Sequence, residues 1–143
     1  MKRYTVGFIF NADLSRVALE TKSHPDWQKG KQNGIGGKIE ENETPIACMV
    51  REAHEEAGIE TKESDWLYFI NLERKSNDAS VDFFAYRHTG DGGDVKTMTD
   101  EVVSWYDVKE LPTTVVSNLR FMIPMAIEKL NDPNLESGTV HYA

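Results

Sequence analysis

Several residue types that mark secreted, membrane-spanning or disordered chains are scarce in this sequence. A single cysteine, Cys48, excludes an internal disulfide and indicates a reducing, cytoplasmic setting. No apolar run approaches the ~18 residues of a membrane-spanning helix, so no association with a membrane is expected. Ten Gly and five Pro among 143 residues, with 39% hydrophobic residues, exclude a disordered or collagen-like chain. The length suits one domain, predicted to span residues 1–143.

Positive charge is also scarce. The chain has 16 Lys and Arg against 24 Asp and Glu, which gives a net charge of −8. An acidic protein repels bare polyanions, so binding to duplex nucleic acid is not expected. Phosphate groups become suitable ligands when a divalent cation lies between them and the protein. Residues 40–60 concentrate the acidity, with seven glutamates and one basic residue, Arg51.

Hydrophobic patterning predicts an α+β fold in which a mixed sheet is packed between helices. Strands are predicted over residues 4–10, 17–21, 66–72, 81–86 and 102–106, and helices over residues 44–57 and 119–130. Gly58 is expected to end the first helix, and Pro124 to kink the second helix or to mark its start. The glycine-rich segment 33–38 is predicted to bend tightly or to approach something closely. Residues from about 131 onwards are predicted to form a frayed tail.

Three glutamates stand out on the first helix. Glu52, Glu55 and Glu56 are spaced i, i+3 and i+4, which places their carboxylates on one helix face. Each like-charge pair at this spacing opposes folding by ~0.2–0.5 kcal/mol. A divalent cation such as Mg²⁺, which prefers oxygen ligands, would remove that repulsion. A solvated acidic helix face is the alternative interpretation.

The residues around this helix form a longer pattern. From Gly37 to Ile59 the sequence fits G-x5-E-x7-R-E-U-x-E-E-x-G-U, where U is an aliphatic or small apolar residue. Its nine defined positions are filled by Gly37, Glu43, Arg51, Glu52, Ala53, Glu55, Glu56, Gly58 and Ile59. The pattern resembles the signature of Nudix hydrolases, which split a nucleoside diphosphate linked to another group. The resemblance covers residues 1 to about 130 and implies the Nudix fold, an α/β/α sandwich.

The resemblance implies a catalytic metal site on the first helix. The carboxylates of Glu52, Glu55 and Glu56 are expected to bind Mg²⁺ or Mn²⁺, with the backbone carbonyl of Gly36 as a further ligand. A non-catalytic sensor with the same fold is a less favoured alternative, because such a protein tends to lose these glutamates. Monomer and homodimer both stay open.

The resemblance also assigns supporting roles. Glu43 and Arg51 are expected to form the ion pair that holds the loop and the helix together, since a guanidinium fork suits a carboxylate. The general base is either Glu52 or an acidic residue in a later loop. Glu101, in the frame E-x3-W before Trp105, is the candidate there, both as a catalytic residue and as a metal ligand. A surface turn is the alternative interpretation of Glu101.

The substrate is inferred from what the sequence lacks outside the signature. No proline lies between Pro45 and Pro112, whereas several subfamilies acting on diphosphate derivatives carry one there. This absence favours the MutT-like group, which splits a nucleoside triphosphate into a nucleoside monophosphate and pyrophosphate. An oxidised purine deoxynucleotide is one candidate substrate. ADP-ribose or another nucleoside diphosphate derivative is the alternative.

Two asparagines support the triphosphate interpretation. Asn33 and Asn118 match positions that contact the base in enzymes that clear oxidised purine triphosphates, and an amide offers both a donor and an acceptor to a base edge. Turn formation and helix capping are the alternative roles. Lys22 and Lys38 are candidates for binding the phosphates.

The remaining aromatic and histidine side chains are weaker candidates. Phe8, Trp27 and Phe121 are placed near the base pocket, with core packing preferred for Phe8. None of the four histidines is expected to act as a ligand or a base.

Overall fold

A mixed sheet with one helix on each face forms the fold, in a computed structural model that describes residues 1–142. The strands are β1 Lys2–Phe10, β2 Arg16–Thr21, β3 Gln32–Asn33, β4 Ile35–Lys38, β5 Leu67–Arg74, β6 Ala79–Arg87, β7 Val103–Asp107 and β8 Gly138–Tyr142. The helices are α1 Pro45–Ala57 and α2 Leu119–Asn131, with single turns of 3₁₀-helix at Glu63–Asp65 and Lys75–Asn77. The predicted α+β class is confirmed. No helix within residues 1–142 combines the length and the apolar character needed to cross a membrane.

The sheet is organised around β1. The main strand order is β3-β2-β1-β6-β5-β8, and β1 runs parallel to β6 over its whole length. On its other edge β1 pairs with two antiparallel strands, β4 beside its first half and β2 beside its end. β7 extends the sheet beyond β2. Pairing between Val6 and Gly36 places the glycine-rich strand directly beside the centre of the sheet.

Two hydrophobic cores fill the two faces of the sheet. Phe8 and Phe10 of β1 point towards α2, whereas Ile9 between them points towards α1, as the two-residue period of a strand requires. Leu119 and Met122 of α2 belong to the first core and are fully buried. The second core contains the apolar side of α1, which leaves the acidic side of that helix free to serve the site. Phe8 is therefore a core residue, which confirms the preference for core packing over a place in the base pocket.

Helix α1 begins and ends where the sequence predicts. Thr44 is the N-cap, and its hydroxyl accepts a hydrogen bond from the amide of Ala47 at 3.2 Å. Pro45 occupies the first turn, where its missing N–H costs nothing. Gly58 follows the helix with φ of 70°, a left-handed conformation that glycine adopts without strain. These signals fix which residues of the signature lie on the helix.

The structure excludes one of the two predicted alternatives at residues 35–38 and at Pro124, and it contradicts the prediction of a frayed tail. Residues 35–38 form β4 rather than a tight turn, because they pair with β1. Helix α2 begins at Leu119 and continues through Pro124, so the proline does not mark its start. Residues 138–142 form β8 and pair in parallel with β5, so the predicted frayed tail is structured there. Partial burial of Val140 against the α2 core gives this edge strand its apolar anchor. Ala143 lies outside the described residues.

Candidate active site

Helix α1 presents the three glutamates predicted as metal ligands, but it buries them unequally. Glu52 is 8% exposed and lies against β4. The Glu55 side chain is 55% exposed, whereas the Oε2 atom of Glu56 is fully buried. The acidic face of the helix therefore runs from solvent at Glu55 to the protein interior at Glu56.

Arg51 links several glutamates around the start of α1. Its Nε and Nη2 atoms donate to the two carboxylate oxygens of Glu43 at 2.8 and 3.0 Å. Its Nη1 atom donates to Glu52 Oε1 at 2.9 Å and to Glu55 Oε2 at 3.2 Å. The hydrogen bonds from Arg51 lower the pKa of Glu43 to about 2. Arg51 thus contacts two of the predicted metal ligands as well as Glu43, which is more than the ion pair expected from the signature.

Glu20 is a buried acidic residue that the sequence reasoning missed. It lies in β2, is 1% exposed, and its carboxyl group is a close neighbour of the carboxyl group of Glu56. Burial raises the pKa of Glu56 far above its usual range, and the neighbouring Glu20 adds to that shift. Burial also raises the pKa of Glu20. A signal was available, because a charged residue inside an otherwise apolar strand is rarely buried without a partner.

Lys22 and Glu101 continue the acidic group beyond Glu20. Lys22 Nζ lies 3.1 Å from Glu20 Oε1 and 3.1 Å from Glu101 Oε2. Burial opposes the charged ammonium group, but the two carboxylates outweigh burial and raise the pKa of Lys22. Glu101 is 6% exposed, so the alternative of a surface turn is wrong. His24 Nδ1 lies 3.5 Å from Glu101 Oε1, which brings a histidine to the site where none was expected.

Four acidic side chains therefore form a continuous row, here called the carboxylate chain. In spatial order its members are Glu52, Glu56, Glu20 and Glu101. Strand pairing explains the arrangement, because Glu20 of β2 is opposite Val103 of β7, and Glu101 precedes that residue by two positions. Residues distant in the sequence are thus brought to the buried edge of α1.

Two glycines in β4 allow close approaches on different sides, Gly37 to the Glu52 side chain of helix α1 and Gly36 to the backbone of strand β1. A Cβ atom at Gly37 would lie 2.5 Å from Glu52 Oε1, so any larger residue would displace that carboxylate. A Cβ atom at Gly36 would lie 2.0 Å from the carbonyl oxygen of Thr5. The glycine-rich strand therefore fits the predicted close approach, although it does not form the predicted bend.

The carboxylate chain fits a divalent cation. Across residues 1–142, the buried atoms Glu20 Oε2 and Glu56 Oε2 have no hydrogen-bond partner outside this acidic pair. They satisfy each other only while one carboxyl group keeps a proton, and otherwise they need a positive charge. Carboxylate oxygens are the ligands that Mg²⁺ and Mn²⁺ prefer. The donor set therefore suits the metal that the signature implies.

The same side chains are held by cationic residues in this structure. Within the described residues, no group of three or more His, Cys, Asp or Glu side chains is arranged around one cation position. Arg51 binds Glu52, and Lys22 binds both Glu20 and Glu101. Two positive side chains thus contact three of the four members of the carboxylate chain and offset part of its negative charge.

A cavity of about 710 Å³ lies next to the carboxylate chain. Its walls include all four residues predicted to bind substrate, namely Lys22, Asn33, Lys38 and Asn118. Gly36 and Glu20 also line the cavity, so it reaches the acidic group. Trp27 is part of the wall and is 61% exposed. The structure thus gathers the predicted substrate-binding residues around one cavity, whereas of the predicted metal ligands only Gly36 lines it and the carboxylate chain reaches it through Glu20.

The two asparagines present different atoms to the cavity. Asn118 occupies the N-cap position of α2, but its side chain makes no capping bond, and its buried Oδ1 atom has no partner within residues 1–142. Asn33 Oδ1 accepts a hydrogen bond from the amide of Gly34 at 2.8 Å, so that atom has a structural role. Its Nδ2 atom lies 3.5 Å from Gln28 Oε1, a long contact. Capping therefore does not explain the Asn118 side chain. For Asn33, the hydrogen bond from Gly34 explains the role of Oδ1, whereas Nδ2 has only a long contact.

A comparison with known protein families shows to which family this chain belongs. The model described as NUDIX domain matches residues 1–125. The chain belongs to the Nudix family. This Nudix protein has a similar fold to a MutT protein, from Aliivibrio salmonicida or Vibrio cholerae, at 24% identity and a TM-score of 0.69, covering 89% of this chain and 98% of that chain.

Two further solved structures share the Nudix fold. An ADP-ribose pyrophosphatase from Streptococcus suis is 18% identical with a TM-score of 0.73, covering 96% of this chain and 98% of that chain. A MutT NUDIX hydrolase from Burkholderia pseudomallei is 17% identical with a TM-score of 0.69, covering 87% of this chain and 96% of that chain. The predicted Nudix fold is confirmed, and family membership supports the predicted enzyme class, a pyrophosphohydrolase.

Proposed function

We propose that this Nudix protein hydrolyses a nucleoside triphosphate to a nucleoside monophosphate and pyrophosphate, with Mg²⁺ or Mn²⁺ as cofactor. The observation that carries the proposal is the cavity, which joins two amide side chains at one part of its wall to Glu20 of the carboxylate chain at another. A base read by the amides would have its phosphates directed towards the acidic side chains.

The base end has a defined hydrogen-bonding character. Asn118 Oδ1 is a buried acceptor that lacks a partner within the described chain, so it requires a donor from the ligand. Asn33 keeps Oδ1 for Gly34 and offers its Nδ2 donor. A purine edge with one donor and one acceptor meets both requirements. The exposed ring of Trp27 in the same cavity wall offers a surface for stacking the base.

The phosphate end combines acidic and basic side chains. Glu52, Glu55 and Glu56, with the carbonyl of Gly36, would hold the metal, and Glu20 adds a buried carboxylate that the signature does not contain. A bound divalent cation polarises phosphate oxygens and lowers the pKa of a coordinated water. Lys38 lines the cavity and supplies a positive charge to the phosphates.

The proton of the attacking water goes to a carboxylate. Water attacks the α- or the β-phosphorus, the P–O bond of the bridge between them breaks, and the departing group, pyrophosphate or nucleoside monophosphate respectively, keeps the bridging oxygen. Glu52 and Glu101 are the two candidate bases, and each is buried beside a cationic side chain, Arg51 or Lys22. Arg51 holds Glu52 by a hydrogen bond and Lys22 holds Glu101 by an ion pair, so that both carboxylates are oriented before the substrate binds.

A second candidate substrate is ADP-ribose or a related nucleoside diphosphate derivative. The cavity continues past the asparagines to Arg74 and Tyr142, and its volume of about 710 Å³ leaves room for a second sugar and phosphate. The Arg74 guanidinium lies 5.3 Å from the centre of the Tyr142 ring, so this end is both basic and aromatic. The structural relative from Streptococcus suis, named an ADP-ribose pyrophosphatase, agrees with this alternative.

We propose a cytoplasmic setting for the reaction. Cys48 is a free cysteine that is fully buried, and burial raises the pKa of its thiol to about 11. Such a thiol is a small apolar core residue with little thiolate character, which suits a protein kept in reducing surroundings.

A substrate screen tests the proposed function. The purified protein is incubated with Mg²⁺ and, in turn, canonical and oxidised nucleoside triphosphates, ADP-ribose, nucleotide sugars and dinucleoside polyphosphates. Product separation by ion-exchange chromatography should show a nucleoside monophosphate and pyrophosphate, with a purine triphosphate preferred. The Glu55→Gln variant is the matched control, because Glu55 is exposed and its loss leaves the core intact. Turnover of ADP-ribose alone would favour the second candidate, and no turnover of any substrate would favour a sensor.

A further inference from the structure

We propose that Lys22 is an internal counter-ion of the carboxylate chain, and that a divalent cation displaces its ammonium group in order to bind. The inference rests on the metal requirement of the proposed function. It assigns to Lys22 control over metal affinity in the absence of any nucleotide, a role separate from phosphate binding.

The position of the ammonium group is the first argument. Lys22 Nζ lies between two carboxylates, 3.1 Å from Glu20 Oε1 and 3.1 Å from Glu101 Oε2. The side chains of Glu20 and Glu101 are 2% and 8% exposed, so water does little to screen them. Without Lys22 these two buried carboxylates would repel each other and the adjacent Glu56. A positive charge, or a proton kept by one of the carboxyl groups, is therefore needed here whenever no cation is bound.

The two cationic neighbours of the carboxylate chain differ in mobility. Arg51 is fixed by Glu43 and by a hydrogen bond from its Nη2 to the carbonyl of Lys38 at 3.2 Å. Lys22 makes its side-chain contacts with Glu20 and Glu101, at the end of a flexible four-carbon stem. The same side chain lines the cavity, so it has open space into which it can turn. Displacement of Lys22 therefore leaves the packing of the sheet undisturbed.

Electrostatics makes the ammonium group and a metal ion mutually exclusive. A divalent cation bound by Glu20 or Glu101 would lie within a few ångströms of Nζ, where two positive charges repel strongly because the buried site is poorly screened. The cation can bind only if the Lys22 ammonium group moves away from Glu20 and Glu101. Metal affinity in the free protein is consequently lower than the carboxylate chain alone would give.

Direct metal binding without nucleotide tests this inference. Mn²⁺ is titrated into the wild-type protein and into Lys22→Met, and free Mn²⁺ is followed by electron paramagnetic resonance. Lys22→Met should bind Mn²⁺ about tenfold more tightly or better, because the competing charge is removed. Lys31→Met is the matched control, since Lys31 also lines the cavity but is exposed, and it should change affinity by less than about twofold. Lys22→Arg keeps the charge and should stay close to the wild-type affinity.

The thermal melt provides a readout that is independent of activity. Metal-free Lys22→Met should melt at a lower temperature than the wild type, because its buried carboxylates have lost their counter-ion. Saturating Mn²⁺ should restore the melting temperature of Lys22→Met more than that of the wild type. Equal Mn²⁺ affinity in Lys22→Met and the wild type, or an equal gain in Lys31→Met, would overturn the inference while leaving the proposed function intact. Mn²⁺ binding to neither protein would overturn the inference, whereas the proposed function is overturned by the absence of metal-dependent turnover in the substrate screen.

Nuclear magnetic resonance of the lysine side chains covers the case in which Lys22→Met does not fold. Side-chain nitrogen signals of the wild type are recorded during a Mg²⁺ titration, and Lys22→Arg identifies the signal of Lys22. The Lys22 signal should shift on saturation with Mg²⁺, whereas that of Lys31 should not. A Lys22 signal that does not move while Mg²⁺ binds would overturn the inference.

Discussion

The carboxyl groups of Glu20 and Glu56 contact each other between strand β2 and helix α1, inside the protein. One of the two residues belongs to the Nudix signature and the other lies 36 positions earlier in the chain. Two carboxylates in such a place are stable only with a shared proton or a cation. The pair therefore links helix α1 to strand β2 electrostatically. It also places two carboxyl groups of the proposed metal site in the protein interior.

Replacing Glu20 by Gln should separate stability from metal binding. The amide of Glu20→Gln donates a hydrogen bond to Glu56 and removes one buried acidic group, so the metal-free melting temperature should hold or rise. Mn²⁺ affinity and kcat should both fall, because one carboxylate of the chain is lost. Calorimetric titration with Mn²⁺ and thermal melts on the same preparation measure the two effects. A melting temperature that falls sharply in Glu20→Gln, with unchanged Mn²⁺ affinity, would make Glu20 a purely structural residue.

Loss of Arg51 should reduce the free energy of unfolding, and it should also release Glu52 from its oriented position. Arg51→Ala removes two hydrogen bonds to Glu43 and one each to Glu52 and Glu55. The side chains of Arg51 and Glu43 are 24% and 14% exposed, so the cost should be below that of a fully buried pair, at ~1.5–3 kcal/mol of unfolding free energy. Urea denaturation measures this loss. Glu55→Gln is the comparison, since it should keep the stability and lower kcat by orders of magnitude. A loss of stability in Glu55→Gln, together with unchanged stability in Arg51→Ala, would mean that the roles of the two residues are reversed.

The Glu43–Arg51 pair should contribute to the pH dependence of stability. Hydrogen bonds from Arg51 lower the pKa of Glu43 from its ordinary value of 4.5 to about 2 in the folded protein. Between these values the unfolded chain binds the extra proton, so the stabilisation is fully present above about pH 4.5 and is lost as the pH falls through about 2. The difference in unfolding free energy between the wild type and Glu43→Gln should therefore shrink steadily as the pH is lowered across this window. A difference that stays constant with pH would show that the ion pair does not set the stability of the loop.

The two asparagines should govern base preference in unequal measure. Asn118→Ala removes a buried acceptor that has no other partner in the described structure, so kcat/KM for the preferred base should fall by a factor equivalent to ~1–3 kcal/mol. Asn33→Ala also removes the hydrogen bond to the amide of Gly34, so it should affect every base through the shape of β4. Measurement of kcat/KM for several purine and pyrimidine triphosphates separates the two patterns. An equal drop for all bases in Asn118→Ala would remove that residue from base recognition.

Local sequence signals account for the parts of the site that could be predicted. The signature, the cap at Thr44 and the stop at Gly58 fix α1 and the spacing of its glutamates. These features depend on residues within a few positions of each other, where capping and helical period are strong. The central helix and its acidic face were therefore predictable without knowledge of the rest of the fold.

The remainder depends on pairing between distant segments. Glu20 meets Glu101 only because β2 and β7 pair in one register, with Glu20 opposite Val103. The position of Lys22 between those carboxylates follows from the same pairing, and hydrophobic periodicity carries no information on it. The parallel pairing of β8 with β5 likewise joins segments more than 60 positions apart, and only a few apolar residues mark β8 in the sequence.

The most direct test of the central claim is a ³¹P NMR time course of the preferred nucleoside triphosphate with Mg²⁺ and, separately, with excess EDTA. We predict that resonances of a nucleoside monophosphate and pyrophosphate appear with Mg²⁺, that EDTA abolishes them, and that Glu56→Gln produces them orders of magnitude more slowly. Release of orthophosphate and a nucleoside diphosphate, or undiminished hydrolysis in EDTA, would contradict the account.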